Sequence, residues 1–130
     1  MSENTFDAWL SELDLDFWGT GQHKISVEEL LRHIEHGEPV MLLDLRTPEE
    51  KHYWALPFAT SIAVDDLPAR WQELPRDTLI VTFCPHRVRA TIAYAYLHLK
   101  GLGRVRILDA TASDLIDKLM PGQVRKLTRN

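Results

Sequence analysis

The sequence predicts an α/β domain in which short parallel strands are separated by helices. Two observations predict it. Mostly apolar runs of four or five residues recur at 39–43, 61–64, 79–83 and 105–108, each too short to be a helix. Segments with helical spacing stand between them, so each strand is followed by a crossover. Strands alternating with helices imply a parallel sheet covered on both faces. At 130 residues the chain suits one compact domain and leaves little room for two.

Residues 1–22 read as an extension that mixes acids with Phe6, Trp9, Leu10, Leu13, Leu15, Phe17 and Trp18 and ends in a flexible Gly19-Thr20-Gly21. Such aromatics either pack back on the domain, the simpler outcome, or bury themselves against a second subunit of a homodimer. The domain proper is read over 23–130. Ser26 and Glu29 form a capping box, and Val27, Leu30, Leu31 and Ile34 follow on one helical face up to a Gly37 stop. Residues 39–43 are the first buried strand. Thr47 and Glu50 form a second capping box, with Pro48 at the first helical position. Residues 61–64 make a weaker strand, and Leu67 to Leu74 a short helix closed by Pro75. Residues 79–83 are the clearest buried strand. Val88, Ile92, Ala95, Tyr96 and Leu99 mark the next helix, which Gly101 ends. Residues 105–108 form the last strand, and Asp114 to Met120 the last helix, before Pro121-Gly122 and a solvated basic tail with Arg125, Lys126 and Arg129. There are no repeats and no low-complexity tract.

Composition narrows the function classes. With 45% hydrophobic and 26% charged residues the chain is too apolar to be disordered. No apolar run approaches the ~20 residues that span a bilayer, and the first residues lack a secretory pattern. A single cysteine excludes an internal disulfide and fits a reducing, cytoplasmic compartment. Of the net charge of −4, five acids precede the first base, Lys24, so the remainder is nearly balanced. Between Asp77 and Asp109 there is no acid, while Arg87, Arg89, Lys100, Arg104 and Arg106 all occur there. Such a window is either a local anion site or a solvated basic face; it is not a surface built to coat nucleic acid.

Cys84 stands at the carboxyl end of the best strand, followed by the loop Pro85-His86-Arg87-Val88-Arg89 and then a helix. In open α/β sheets ligands bind outside the carboxyl ends of the strands. A helix N-terminus and two nearby arginines both favour a thiolate, so Cys84 is expected to be nucleophilic near neutral pH. The plainer alternative is a small buried core residue.

At these residues the chain resembles the rhodanese-like family of sulfurtransferases. Asp44-Leu-Arg46-Thr47-Pro48-Glu49-Glu50 is similar to the family's Asp-x-Arg-x-x-x-Glu segment, and Ala59, Ile62, Asp65 and Leu67 follow at the expected offsets. Cys84-Pro-His-Arg-Val-Arg89-Ala90 falls where the family has Cys-x-x-Gly-x-Arg-Ser/Ala, and Gly101-Leu102, Val105 and Leu108 match the stretch after the active helix. The resemblance covers about residues 23–120. It implies a three-layer domain with a five-stranded parallel sheet flanked by helices on both faces. It also implies that Cys84 takes a sulfane sulfur from a donor such as thiosulfate or a persulfide, and passes it to a low-molecular-weight thiol, cyanide or a sulfur-carrier protein. Pro85, His86, Arg87, Val88 and Arg89 would line the donor site, with no metal or organic cofactor required. His33 and His36, three apart on a helix, have no evident third ligand.

Loop length separates the chain from cysteine-dependent phosphatases, whose arginine lies six positions after the cysteine. Here it is Arg89, five after, and the shorter loop suits a sulfur atom better than a phosphate. Other positions depart from the family. Trp54-Ala55-Leu56-Pro57-Phe58-Ala59 replaces a glycine- and histidine-bearing segment, so Trp54 and Phe58 either roof the site or fill the core. The loop glycine is Arg87; a left-handed backbone there would cost ~1–2 kcal/mol. Arg46 either faces the pocket as a donor ligand or pairs with Glu49 or Glu50, and Asp44 is expected to orient local backbone. Two rival functions remain open: a non-catalytic binding or regulatory module, and a phosphatase-like oxyanion enzyme.

Overall fold

The computed structural model describes residues 5–118. Five parallel strands form one sheet in the order β1-β5-β4-β2-β3: β1 Lys24–Ile25, β2 Val40–Asp44, β3 Thr60–Ser61, β4 Leu79–Phe83 and β5 Val105–Leu108. Helices cover both faces, as the resemblance implied. Side chains alternate between the two faces along each strand, and both faces are covered, so β2 and β4 are buried throughout. Met41 and Leu43 of β2, Ile80 of β4, and Val105 and Ile107 of β5 face one core with Ala90, Ala93, Tyr94 and Leu97. Val40, Leu42, Val81, Phe83 and Leu108 face the other, with Val27, Leu30, Ile34 and Leu115. The first core lies under α5 (Leu67–Arg70) and α6 (Val88–Leu99), the second under α3 (Val27–Glu35) and α7 (Ala112–Lys118). No described helix is long and apolar enough to cross a membrane.

Both expected capping boxes form: Ser26 with Glu29 starts α3, and Thr47 with Glu50 starts α4, Pro48–Tyr53. Four corrections apply. The extension contains two helices, α1 Thr5–Ser11 and α2 Leu15–Thr20. Asp14 caps α2 by accepting from the Phe17 amide, and Gly21, at φ 69°, closes it; Gly19 and Thr20 are the last turn of a helix, not a hinge. The strand expected over 61–64 pairs only at Thr60–Ser61, because the backbone turns into a short 3₁₀ segment, Val64–Asp66, held by Asp66 N–H to Ala63 C=O. The helix expected over 67–74 is one α turn followed by a 3₁₀ turn, Trp71–Glu73. The last helix begins two residues early, at Ala112. Its expected end at Met120 and the basic tail lie outside the described residues.

The N-terminal helices pack back in part. Trp9 stacks on His98 and tilts against Tyr94, both on α6, while Phe17 contacts His23. Phe6, Leu10, Leu15 and Trp18 stay exposed.

Candidate functional site

The carboxyl edge of β4 delivers Cys84 into a tight turn. The Arg87 N–H donates to the Cys84 carbonyl at 3.4 Å, so Pro85 occupies the second position of the turn, where its fixed φ is favourable. Thr91 N–H then bonds the Arg87 carbonyl at 2.9 Å, and α6 begins. Arg87 is the N-cap, at φ 65°, and it is the one described non-glycine residue with a positive φ. The loop thus keeps the left-handed residue that a glycine would supply without strain.

The Cys84 side chain turns inward, toward the α6 side of the sheet, and the residue is 3% exposed. The Ala90 amide donates to its Sγ at 3.2 Å. Ala90 is itself fixed from the other side: the buried Thr82 hydroxyl donates to its carbonyl at 3.1 Å. A backbone donor from the first turn of α6 is therefore aimed at the sulfur and held there by β4. That arrangement sets the positive end of an N–H dipole against the sulfur.

Three arginines approach this edge of the sheet, and the structure assigns them different partners. Arg89 is half-buried and forks onto Glu50, Nη1 to Oε1 at 2.5 Å and Nη2 to Oε2 at 2.8 Å. Glu50 also accepts from the Thr47 N–H at 2.9 Å as part of its capping box. The Arg89 hydrogen bond first, and the Thr47 amide next, pull the Glu50 carboxyl from its ordinary 4.5 down to about 2. In return Glu50 raises the affinity of Arg89 for its proton. Arg46 corrects the expected pairing. It is 1% exposed, and its partner is Asp44, neither Glu49 nor Glu50. Its Nε and Nη2 donate to Asp44 at 3.0 and 2.7 Å, its Nη1 to the Trp54 carbonyl at 3.0 Å, and the Trp54 ring covers the guanidinium at 3.6 Å. The pairing follows from position: Asp44 ends β2 and Arg46 comes two residues later, near enough for Asp44 also to accept the Arg46 N–H. Arg87 alone among the three is more than half exposed, and its Nη1 lies 2.8 Å from Asp109 Oδ1.

Pro85, His86 and Val88 lie on the exposed outer side of the loop. Trp54, 38% exposed, lies edge-on to Phe83 as well as over Arg46, so it roofs the strand end, while Phe58 packs against the second core. Sequence reasoning missed Glu50 and Asp109 as site residues. Glu50 stood out as a helix cap, as the last residue of the Asp-x-Arg-x-x-x-Glu segment and as a candidate partner of Arg46, but nothing in local spacing links it to Arg89, 39 positions away. Asp109 did carry a signal: it is the acid that ends the acid-free window.

Comparison with known proteins is consistent across sequence and fold. A family model described as a rhodanese-like domain matches residues 26–113. A sulfurtransferase of Allochromatium vinosum is 35% identical over 83 residues, covering 64% of this chain and 78% of its own. A protein of Bacillus subtilis described as a putative sulfurtransferase is 30% identical over 84 residues, or 65% of this chain and 82% of its own. The crystal structure of a human single-domain sulfurtransferase superposes with a TM-score of 0.60 at 24% identity, covering 77% of this chain and all of that one.

Proposed function

The chain belongs to the rhodanese-like family, and from that membership we propose that it moves sulfane sulfur through a persulfide on Cys84. The observation that carries the reading is the Ala90 amide aimed at Cys84 Sγ from the start of α6. In the first half-reaction the Cys84 thiolate attacks the outer sulfur of thiosulfate. The S–S bond of the donor breaks, sulfite leaves with the electron pair, and Cys84 carries the terminal sulfur as a persulfide anion. In the second, an acceptor nucleophile (a small thiol, cyanide or a sulfur-carrier protein) attacks that terminal sulfur and the Cys84 thiolate leaves. A persulfide donor loads Cys84 by the same exchange. The loop amides and Arg87 bind the donor, with His86 as an auxiliary on the exposed side, and Arg89 holds the loop through Glu50. This chemistry belongs in a reducing compartment, the cytoplasm.

Cys84→Ser removes the only thiol while changing little volume. Its expected outcome is complete loss of thiocyanate production from thiosulfate and cyanide, with an unchanged circular-dichroism spectrum. Production persisting in that variant would refute the mechanism. The burial of Cys84 favours a second reading, a non-catalytic binding module. Slow alkylation of native Cys84, together with no turnover, would select it.

A further inference from the structure

The three arginines of the site divide into two that are locked and one that is available. Arg46 is buried, forked onto Asp44 and capped by Trp54, so no donor reaches its guanidinium. Arg89 spends two nitrogens on Glu50. Arg87 is different in three independent respects. Its side chain is 53% exposed. Its partner Asp109 is shared, since Lys24 Nζ lies 3.5 Å from the other carboxylate oxygen. Its backbone holds a left-handed conformation that costs an arginine ~1–2 kcal/mol and a glycine nothing of the kind. A strained non-glycine residue kept beside a nucleophile is where functional constraint is to be sought.

Asp109 belongs to the same edge. Thr82 pairs with Ile107 in the β4–β5 ladder, so Cys84 and Asp109 are each two residues further along adjacent parallel strands. The cluster Lys24, Arg87 and Asp109 carries a net charge of +1 at the mouth of the loop. An anion arriving at Cys84 therefore meets one carboxylate already occupying the exposed guanidinium.

We propose that Arg87 selects anionic reactants at Cys84, and that Asp109 is its resting counter-ion, which the reactant displaces. For the identity of the natural anion, a thiosulfate or thiosulfonate group, the inference rests on the sulfur-transfer reading. Its test does not. Asp109 acts through Arg87 and is a positioning residue. It lowers the affinity for weak anions and holds the arginine at the end of β5, beside the Cys84 loop, between turnovers.

Cys84 is the only cysteine, so thiol-specific reagents report on one site. Full-length protein is treated with methanethiosulfonates of matched size carrying a sulfonate or a trimethylammonium group, and the ratio of the two modification rates is measured at low ionic strength. The native protein is expected to favour the sulfonate. Arg87→Gln should lower the ratio about fivefold, the effect of one unit charge within a Debye length. Arg87→Lys should retain it within about twofold, because it keeps the charge and loses only the fork. Asp109→Asn should raise it by removing the competitor. A native preference for the cation, an Arg87→Gln ratio equal to the native one, a lysine variant that behaves like glutamine, or a lower ratio in Asp109→Asn would each overturn the proposal. Failure of the native protein to react with either reagent would do so as well. Thiosulfate loading of the same variants, read by intact mass, separates the two claims. Loading that slows in parallel with the ratio supports both, whereas absence of loading in every variant with the ratio still shifted removes the sulfur-transfer reading and leaves the anion selection standing.

Discussion

Arg87 shows how a single residue can be costly to the fold and useful to the site. Its left-handed backbone costs ~1–2 kcal/mol, while an ion pair as exposed as Arg87–Asp109 returns about 0.2–1 kcal/mol. Strain is the larger effect, although glycine gives part of it back through greater freedom in the unfolded chain. Arg87→Gly is therefore expected to raise the unfolding free energy by about 0.5 kcal/mol in urea titrations while lowering the preference of Cys84 for anions. A destabilised variant would mean that the Asp109 contact outweighs the strain. The sequence announced this residue, because an arginine stands where the family has glycine. It did not announce Asp44 as the partner of Arg46. A two-residue separation across a strand end leaves no periodic mark, and the nearer-looking candidates Glu49 and Glu50 were already committed to starting a helix and to Arg89.

At the scale of elements, the first turn of α4 and the first turn of α6 are joined by one carboxylate. Glu50 closes the capping box of α4 and receives the fork of Arg89 in α6. Since its carboxyl is depressed to about 2 from 4.5, it adds stability that is fully present above pH 4.5 and is lost as the pH falls from there toward 2. Over that window the native protein should lose stability more steeply than Glu50→Gln, measured as the difference between their urea midpoints at each pH. Parallel curves would show that the pair contributes nothing. More than a third of the Glu50 side chain is exposed, so solvent screens the pair and the difference will be modest. The elements themselves were legible where pattern is strong. Residues 79–83 and 105–108 and the span Val88–Leu99 were read from the chain alone, but the helix face was not. α6 is apolar around most of its circumference, and it buries Ala90, Ala93, Tyr94 and Leu97 while the expected markers Val88 and Ile92 stay exposed. Elements of two residues, such as β1 and β3, are too short to have a period. Those strands exist because a neighbouring strand offers them hydrogen bonds.

For the whole molecule, order along the sheet explains why the site assembles. All strands are parallel, so the ends of β2, β4 and β5 bring Asp44, Cys84 and Asp109 to one edge from far-apart stretches of chain. The acid-free window announced the chemistry of that edge without naming the residues that meet there. The acidic N-terminal helices lie on the same side as α6 and are only partly buried. Trp9→Ala should cost about 2 kcal/mol by removing the aromatic that joins α1 to Tyr94 and His98, whereas Leu15→Ser, at a site 86% exposed, should change thermal stability little. Equal effects would mean that α1 and α2 are not docked as described.

Whether Cys84 carries sulfur is read at once from the intact mass of the protein. Reduced protein is mixed with thiosulfate and, separately, with glutathione persulfide, beside Cys84→Ser. The expected outcome is a gain of one sulfur atom that cyanide or a thiol removes and that the serine variant never shows. A native mass unchanged by both donors would contradict it.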